Sequence, residues 1–433
     1  MPYKSQKAHL KSMNTRRILD AMKFSRNFVL LLAPAIYLFV LPLAHMTAVR
    51  AVAFSISALL LLATWRCFPA PPVPLKLPFA VWLALALLSL IWAIRPGYSI
   101  GEIRLEILQG FLTFLIFFKA TRSDRELDFW FLTLAASALL VGIFAFSHFL
   151  RGLNPYSVGM HGGMLYYAGY LNTIFPMLAA IAILRAGWRR IFVICLVVFL
   201  LLTAIGSKSR AVWVGFLLEL GIFGILYFRN LETKHAVRKA AVVVGLALVV
   251  LFSAAFIHVA GERLNSSGGP IEILSQASKA DQRPKLWSDS IALIKNRPMT
   301  GAGFGRMVLG KELVEQQGDP NHTHAHNILL NYALQLGVLG PFVLAFLFYS
   351  IVWELGKLVN SSDQDVQVLG IAGLSIVGGL FGQSMVEDIF VRHLAWLFWA
   401  TLGMTLGYAM NKYRVAPGPP DPRRPIRVPE SAV

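Results

Sequence analysis

An all-α integral membrane protein is the fold class this sequence predicts, and three observations predict it. Charged residues make up only 14% of the 433-residue chain and hydrophobic ones 56%, with a mean hydropathy of +0.62. A soluble globular chain carries about a quarter charged residues. The apolar residues gather into runs long enough for helical membrane spans. The basic residues, which give a net charge of +18, punctuate those runs in short connections, as in a polytopic protein oriented by its lysines and arginines. That placement argues against nucleic acid as a partner.

About twelve transmembrane helices follow, at 28–44, 47–65, 77–94, 104–118, 128–148, 163–184, 191–206, 211–228, 240–260, 329–355, 366–385 and 392–410. The first 26 residues are polar and basic, and the run from Phe28 to Ala44 lacks a small-residue cleavage site. It is therefore expected to be the first span and not a cleavable leader. With both termini in the cytoplasm, 25 of the 40 Lys and Arg fall in the tails and cytoplasmic loops. The short loops of the other face hold seven: Arg50, Arg95, Arg104, Arg151, Lys208, Arg210 and Arg392. The remaining eight lie in 261–326, a loop too long for the orientation rule to govern.

The expected organisation is a basic segment 1–27, nine spans over 28–260, a long outward-facing loop 261–326, three spans over 327–410 and a tail 411–433. The tail is proline-rich and basic, expected to be disordered and close to anionic headgroups. Cys67 and Cys195 fall beside or inside spans, so no disulfide framework is implied.

Polar chemistry has room in the long loop. Pro284 opens a helix at its first position, and "PKLWSDSIALIKN" puts Trp287, Ile291 and Ile294 on one face. "MTGAGFG" makes a glycine-rich turn before a second short helix near Val308–Gln317. A dinucleotide fingerprint would need glycine where Arg306 stands, and no strand precedes the turn.

Each candidate functional residue has a plain reading beside a chemical one. Lys208 and Arg210, at the outer mouth between the seventh and eighth spans, snorkel to the interface; alternatively Ser207 or Ser209 caps the next helix and Arg210 stands at an anion-favouring N-terminus. Arg283 pairs with Asp281, or its planar fork grips phosphate oxygens. His322, His324 and His326 alternate, which on an extended strand would align them as zinc ligands. No carboxylate or cysteine in the sequence pairs with them, so no metal is assigned. The other chemical reading makes one histidine a base or orienter. In a helix starting near His326, Gly337 and Gly340 return to its face, forming a small-residue stripe beneath the imidazole.

At these residues the chain resembles the O-antigen ligase family, within the wider O-antigen ligase/polymerase superfamily of bacterial envelope glycosyltransferases. The resemblance rests on Ser209-Arg210 with Trp213, on Arg283, Trp287, Pro298, Gly301, Gly303 and Gly305, and on His326-Asn327 followed by Gly337 and Gly340. It implies a GT-C-like polytopic enzyme in the bacterial inner membrane whose long loop is periplasmic. The implied reaction moves a polysaccharide from undecaprenyl pyrophosphate to a sugar hydroxyl of lipid A–core by metal-independent, inverting transfer, with no cofactor.

On that resemblance His326 is the catalytic residue, Arg210 and Arg283 hold the pyrophosphate, and Lys208, Asn327, His324 and Trp287 support them. Two cations suit a diphosphate leaving group, and a histidine, ordinarily titrating near 6.5, suits the acceptor proton. An O-antigen polymerase and a protein O-oligosaccharyltransferase share these features. A transporter or flippase shares the span count but favours ionisable groups near mid-membrane, whereas the charges here gather at the outer rim.

Overall fold

The computed structural model describes residues 30–415 except 44, 67–70, 152–163, 207–209, 232–248, 319–321 and scattered positions between 252 and 280. The basic N-terminal segment, the tail beyond 415, Lys208 with Ser207 and Ser209, and most of the ninth expected span lie outside the described residues.

Every regular element among the described residues is helical. The first half comprises α1 (Leu30–Val40), α2 (Thr47–Ala63), α3 (Lys76–Leu88), α4 (Pro96–Glu102), α5 (Gln109–Ala120), α6 (Asp124–Leu150), α7 (Met164–Leu184), α8 (Trp188–Gly206) and α9 (Arg210–Asn230). The second half comprises α10 (Arg283–Asn296), α11 (Gly310–Gln317), α12 (Ile328–Leu336), α13 (Leu339–Val359), α14 (Gln364–Ser384) and α15 (Arg392–Val415). Four of these contain stretches long and apolar enough to cross a membrane: Asp124–His148, Trp213–Asn230, Leu339–Val359 and Gln364–Ser384. Leu30–Val40, Thr47–Ala63, Lys76–Ile91 and Gly169–Leu184 are shorter apolar helices.

Local chemistry sets several boundaries. Asp124 and Glu126 occupy the first turn of α6, where the helix dipole favours negative charge. Asp363 caps α14 by accepting from the Val366 amide at 3.1 Å. A π-helical turn, Ile103–Leu108, joins α4 to α5, so the expected span 104–118 is the later part of a longer helical rod. In the bundle α14 packs on α7, α9, α13 and α15, and α15 runs along α5. Gly403 and Gly407 of α15 meet the α5 backbone at Phe114 and Phe118, the close approach that small residues allow between apolar helices.

Three expectations need correction. The span expected at 329–355 is two helices, because Gly337 between α12 and α13 has φ +65°. Gly337 and Gly340 therefore do not continue the helical face of His326; Gly337 lies against the Pro298 and Met299 backbone and Gly340 against the Tyr332 carbonyl. In α10 Leu286 and Ser290 are buried and Ile294 packs half-buried on the cluster around Leu286, while Ile291 is exposed. Charge is also not confined to the rim, since Glu219 is buried midway along α9 against Gly379 of α14.

Gly337→Ala would force a side chain into a positive-φ conformation (φ +65°, ψ −159°) that is essentially glycine's alone, costing about 1–3 kcal/mol, and drive its Cβ into the Pro298–Met299 backbone. We expect a lowered thermal-unfolding midpoint in detergent. Gly356→Ala, where a Cβ meets nothing within 4 Å, should leave the midpoint unchanged or raised.

Candidate functional site

The site begins at the N-terminus of α12. Asn327 is its N-cap: the side-chain oxygen accepts from the Leu330 amide at 3.1 Å, and Nδ2 donates to the Met385 carbonyl at 2.9 Å. One residue thus satisfies a free amide of the helix start and ties that start to the end of α14. The preceding loop is clamped at Ala325. Its amide donates to Asn331 Oδ1 at 2.8 Å, and its carbonyl accepts from Trp287 Nε1 at 3.0 Å. His324 and His326 flank this clamped residue, with ring centroids 4.0 Å apart. His326 has φ +50°, a left-handed conformation uncommon outside glycine and enriched at functional positions.

The glycine-rich turn supports α12 from its other end. The Ala302 and Gly303 amides donate to the Leu334 and Gln335 carbonyls at 2.9 and 3.0 Å, and the Gly305 amide donates to Gln335 Oε1 at 2.8 Å. The Phe304 amide donates to Ser89 Oγ and the Met307 amide to the Tyr98 hydroxyl. Carbonyls left free where α12 stops thereby find donors. Gly301 has φ +64° and presses on the Gln335 carbonyl so closely that a Cβ would overlap it. These amides are spent on protein oxygens, so the turn is a packing device and not a phosphate cradle.

Opposite the histidines stands Glu387, buried in the connection from α14 to α15. Both of its carboxylate oxygens lie 2.8 Å from His326 Nδ1, and Oε1 lies 3.7 Å from His324 Nε2. Burial alone would raise its pKa; the two facing imidazoles, His324 close by and His326 by direct hydrogen bonding, outweigh that and hold the carboxyl down at about 2. Burial pushes His324 down to about 3, so it stays neutral. The Arg283 guanidinium reaches Glu387 Oε2 at 4.0 Å while also pairing with Asp281 at 3.5 Å. Next along the chain, Asp388 is a structural hub. Its carboxylate accepts from Asn331 Nδ2 at 2.6 Å and its carbonyl from Arg306 at 2.7 Å. Burial holds Asp388 above the usual carboxylate range, so two adjacent acids have opposite shifts.

An ionised carboxylate only accepts hydrogen bonds. The proton between Glu387 and His326 therefore belongs to Nδ1, and Nε2 is left as the basic nitrogen. The pair has the chemistry of an oriented general base with an arginine beside it.

Of the residues expected at the site, His326, His324 and Arg283 converge on Glu387. Asn327 and Trp287 support them through the cap and the Ala325 clamp. The histidines lie in a turn and not on an extended strand, and the expectation that no carboxylate pairs with them is overturned by Glu387. The Arg210 backbone opens α9. Gly378 lies against Ile222 and Gly382 against Leu218, an antiparallel register that, continued, brings the first turn of α9 level with the segment after Ser384.

Comparison with known proteins gives the same direction. Residues 195–345 match the family model described as O-antigen ligase, which spans Arg210, Arg283 and His326 but stops before Glu387. A protein described as a putative polysaccharide ligase, from Rickettsia felis, is 24% identical over 308 residues, covering 68% of this chain and 71% of its own length. The family resemblance seen in the sequence therefore holds over that segment, and with the apolar helices it indicates a membrane-integral protein.

Asn327→Ala removes both the cap and the tie to Met385. We expect a loss of about 1–2 kcal/mol, measured as a lower unfolding midpoint, with Asn327→Asp recovering the cap share alone.

Proposed function

We propose that this chain is an O-antigen ligase, transferring a polysaccharide from undecaprenyl pyrophosphate to a sugar hydroxyl of lipid A–core. In this reading it lies in the bacterial inner membrane with about twelve spans, both termini cytoplasmic and the loop 261–326 in the periplasm. The observation that carries the reading is the bidentate approach of ionised Glu387 to His326 Nδ1, with Arg283 on the same carboxylate.

The acceptor hydroxyl attacks the anomeric carbon from the face opposite the pyrophosphate, so configuration inverts. As the C–O bond forms, the hydroxyl proton passes to His326 Nε2, and Glu387 stabilises the imidazolium across Nδ1. The departing diphosphate takes the bonding electron pair. Arg283 and Arg210 are the cations proposed to meet that charge, with Lys208 near Arg210 and His324 and Trp287 in support. No cofactor takes part.

Reconstituted protein with lipid-linked donor and lipid A–core acceptor tests this. Ligated lipopolysaccharide is the expected product, and its formation should persist in EDTA. Longer lipid-linked chains without ligation would identify a polymerase instead; no product from either acceptor would remove the transferase reading. His326→Ala should lower turnover by about 10²–10⁴-fold with insertion unchanged. Glu387→Gln should lower kcat by about 100-fold or more, whereas Arg283→Ala should mainly impair use of the donor.

A further inference from the structure

We propose that His324, His326 and Glu387 form a reversible binding site for a zinc-class divalent cation, and that its occupation switches off transfer. One ligand atom from each of the three residues falls within 4.8 Å of the others. Zinc bonds of about 2.0–2.2 Å place tetrahedral ligand atoms about 3.4 Å apart. The observed 2.8 Å between His326 Nδ1 and Glu387 and 3.7 Å between His324 Nε2 and Glu387 bracket that spacing.

His324 supplies an independent sign of a ligand. Its Nε2 is buried, has no hydrogen-bond partner and faces Glu387 from beyond hydrogen-bond length. A buried polar atom left in that state calls for an occupant. No bond is made or broken at this nitrogen in the proposed transfer.

Two imidazoles and one carboxylate make a three-ligand set with an open fourth position, as in catalytic zinc sites. Imidazole donors favour zinc, cobalt, nickel or copper over magnesium and calcium. The Arg283 guanidinium, 4.0 Å from Glu387 Oε2, opposes a dication, which makes occupancy reversible and not resident.

The inhibitory half of the inference rests on the transferase reading; the binding half does not. A metal on His326 Nδ1 displaces the proton held there by Glu387. The neutral ring then carries its proton on Nε2, and the nitrogen needed for the acceptor hydroxyl has no lone pair to offer. The metal also spends the Glu387 charge that would stabilise the imidazolium.

The test uses full-length, tag-free protein in detergent, washed with EDTA and titrated with Co²⁺. One equivalent should bind with the visible spectrum of a four-coordinate ion, and Zn²⁺ should displace it while Mg²⁺ does not. X-ray absorption at the cobalt edge on the unaltered protein should show imidazole and carboxylate ligation. His324→Asn and Glu387→Gln should each weaken binding by at least about 10-fold, the effect known even for outer-shell partners. His148→Asn, far along the chain on α6, should leave binding unchanged. Zn²⁺ should inhibit transfer, and EDTA should restore it.

Absence of a four-coordinate spectrum, or binding unaltered in both ligand variants, overturns the site. Binding as described in a protein that transfers no glycan supports the site and removes only the function. Transfer that persists with the site filled overturns the switch.

Discussion

The contact between His326 and Glu387 is the constraint on which the arrangement depends. It joins two loops 61 residues apart in the chain, one opening α12 and the other closing α14. A carboxylate as buried as Glu387 is expensive to keep ionised unless charge and hydrogen bonds compensate it. Two imidazoles and Arg283 do so here. Nearby polar contacts keep those partners in place: Asn327 binds the end of α14, Asn331 binds both Ala325 and Asp388, and Arg306 holds the Asp388 carbonyl. Loss of any one would loosen the geometry without removing a reacting group.

The second constraint is the docking of the glycine-rich turn on α12. Its successive amides satisfy the end of that helix and the residues around Ser89 and Tyr98. With these backbone donors committed, the turn offers no free amides to an anion, and the proposed diphosphate is left to guanidinium groups, which are long, permanently charged and able to re-pair.

Most apolar helices were legible in the sequence. Expected spans 47–65, 128–148, 163–184 and 366–385 lie within a few residues of α2, α6, α7 and α14, because burial in an apolar phase is written directly in hydropathy. The break at Gly337 was not legible: a glycine inside an apolar run looks like part of a span, and only its contact with Pro298 shows why the chain turns. The family resemblance singles out Arg283 and His326 and the alternating histidines single out His324, and these three side chains do meet at Glu387. Glu387 itself was not legible. It sits in a short connection between two apolar runs, outside the segment carrying the family pattern, and no spacing relates it to His326. Two adjacent acids at the rim facing the histidine-rich turn were the only signal. Helical periodicity gives Trp287 a place on α10 but does not register the Ala325 carbonyl that takes its indole N–H.

Arg283 also links the two halves of the proposed chemistry. Its guanidinium is shared between Asp281 and Glu387 at 3.5 and 4.0 Å, and its side chain is about one-third exposed. Neither contact is a tight bidentate pair, so the diphosphate of the proposed donor would compete on favourable terms for the same fork. Once the guanidinium turns to phosphate oxygens, Glu387 keeps only imidazole partners. Its charge is then available to stabilise the imidazolium that forms as the acceptor proton is taken. In the proposed reaction donor binding would thus complete the base, because the cation offered to the leaving group is the one withdrawn from its carboxylate.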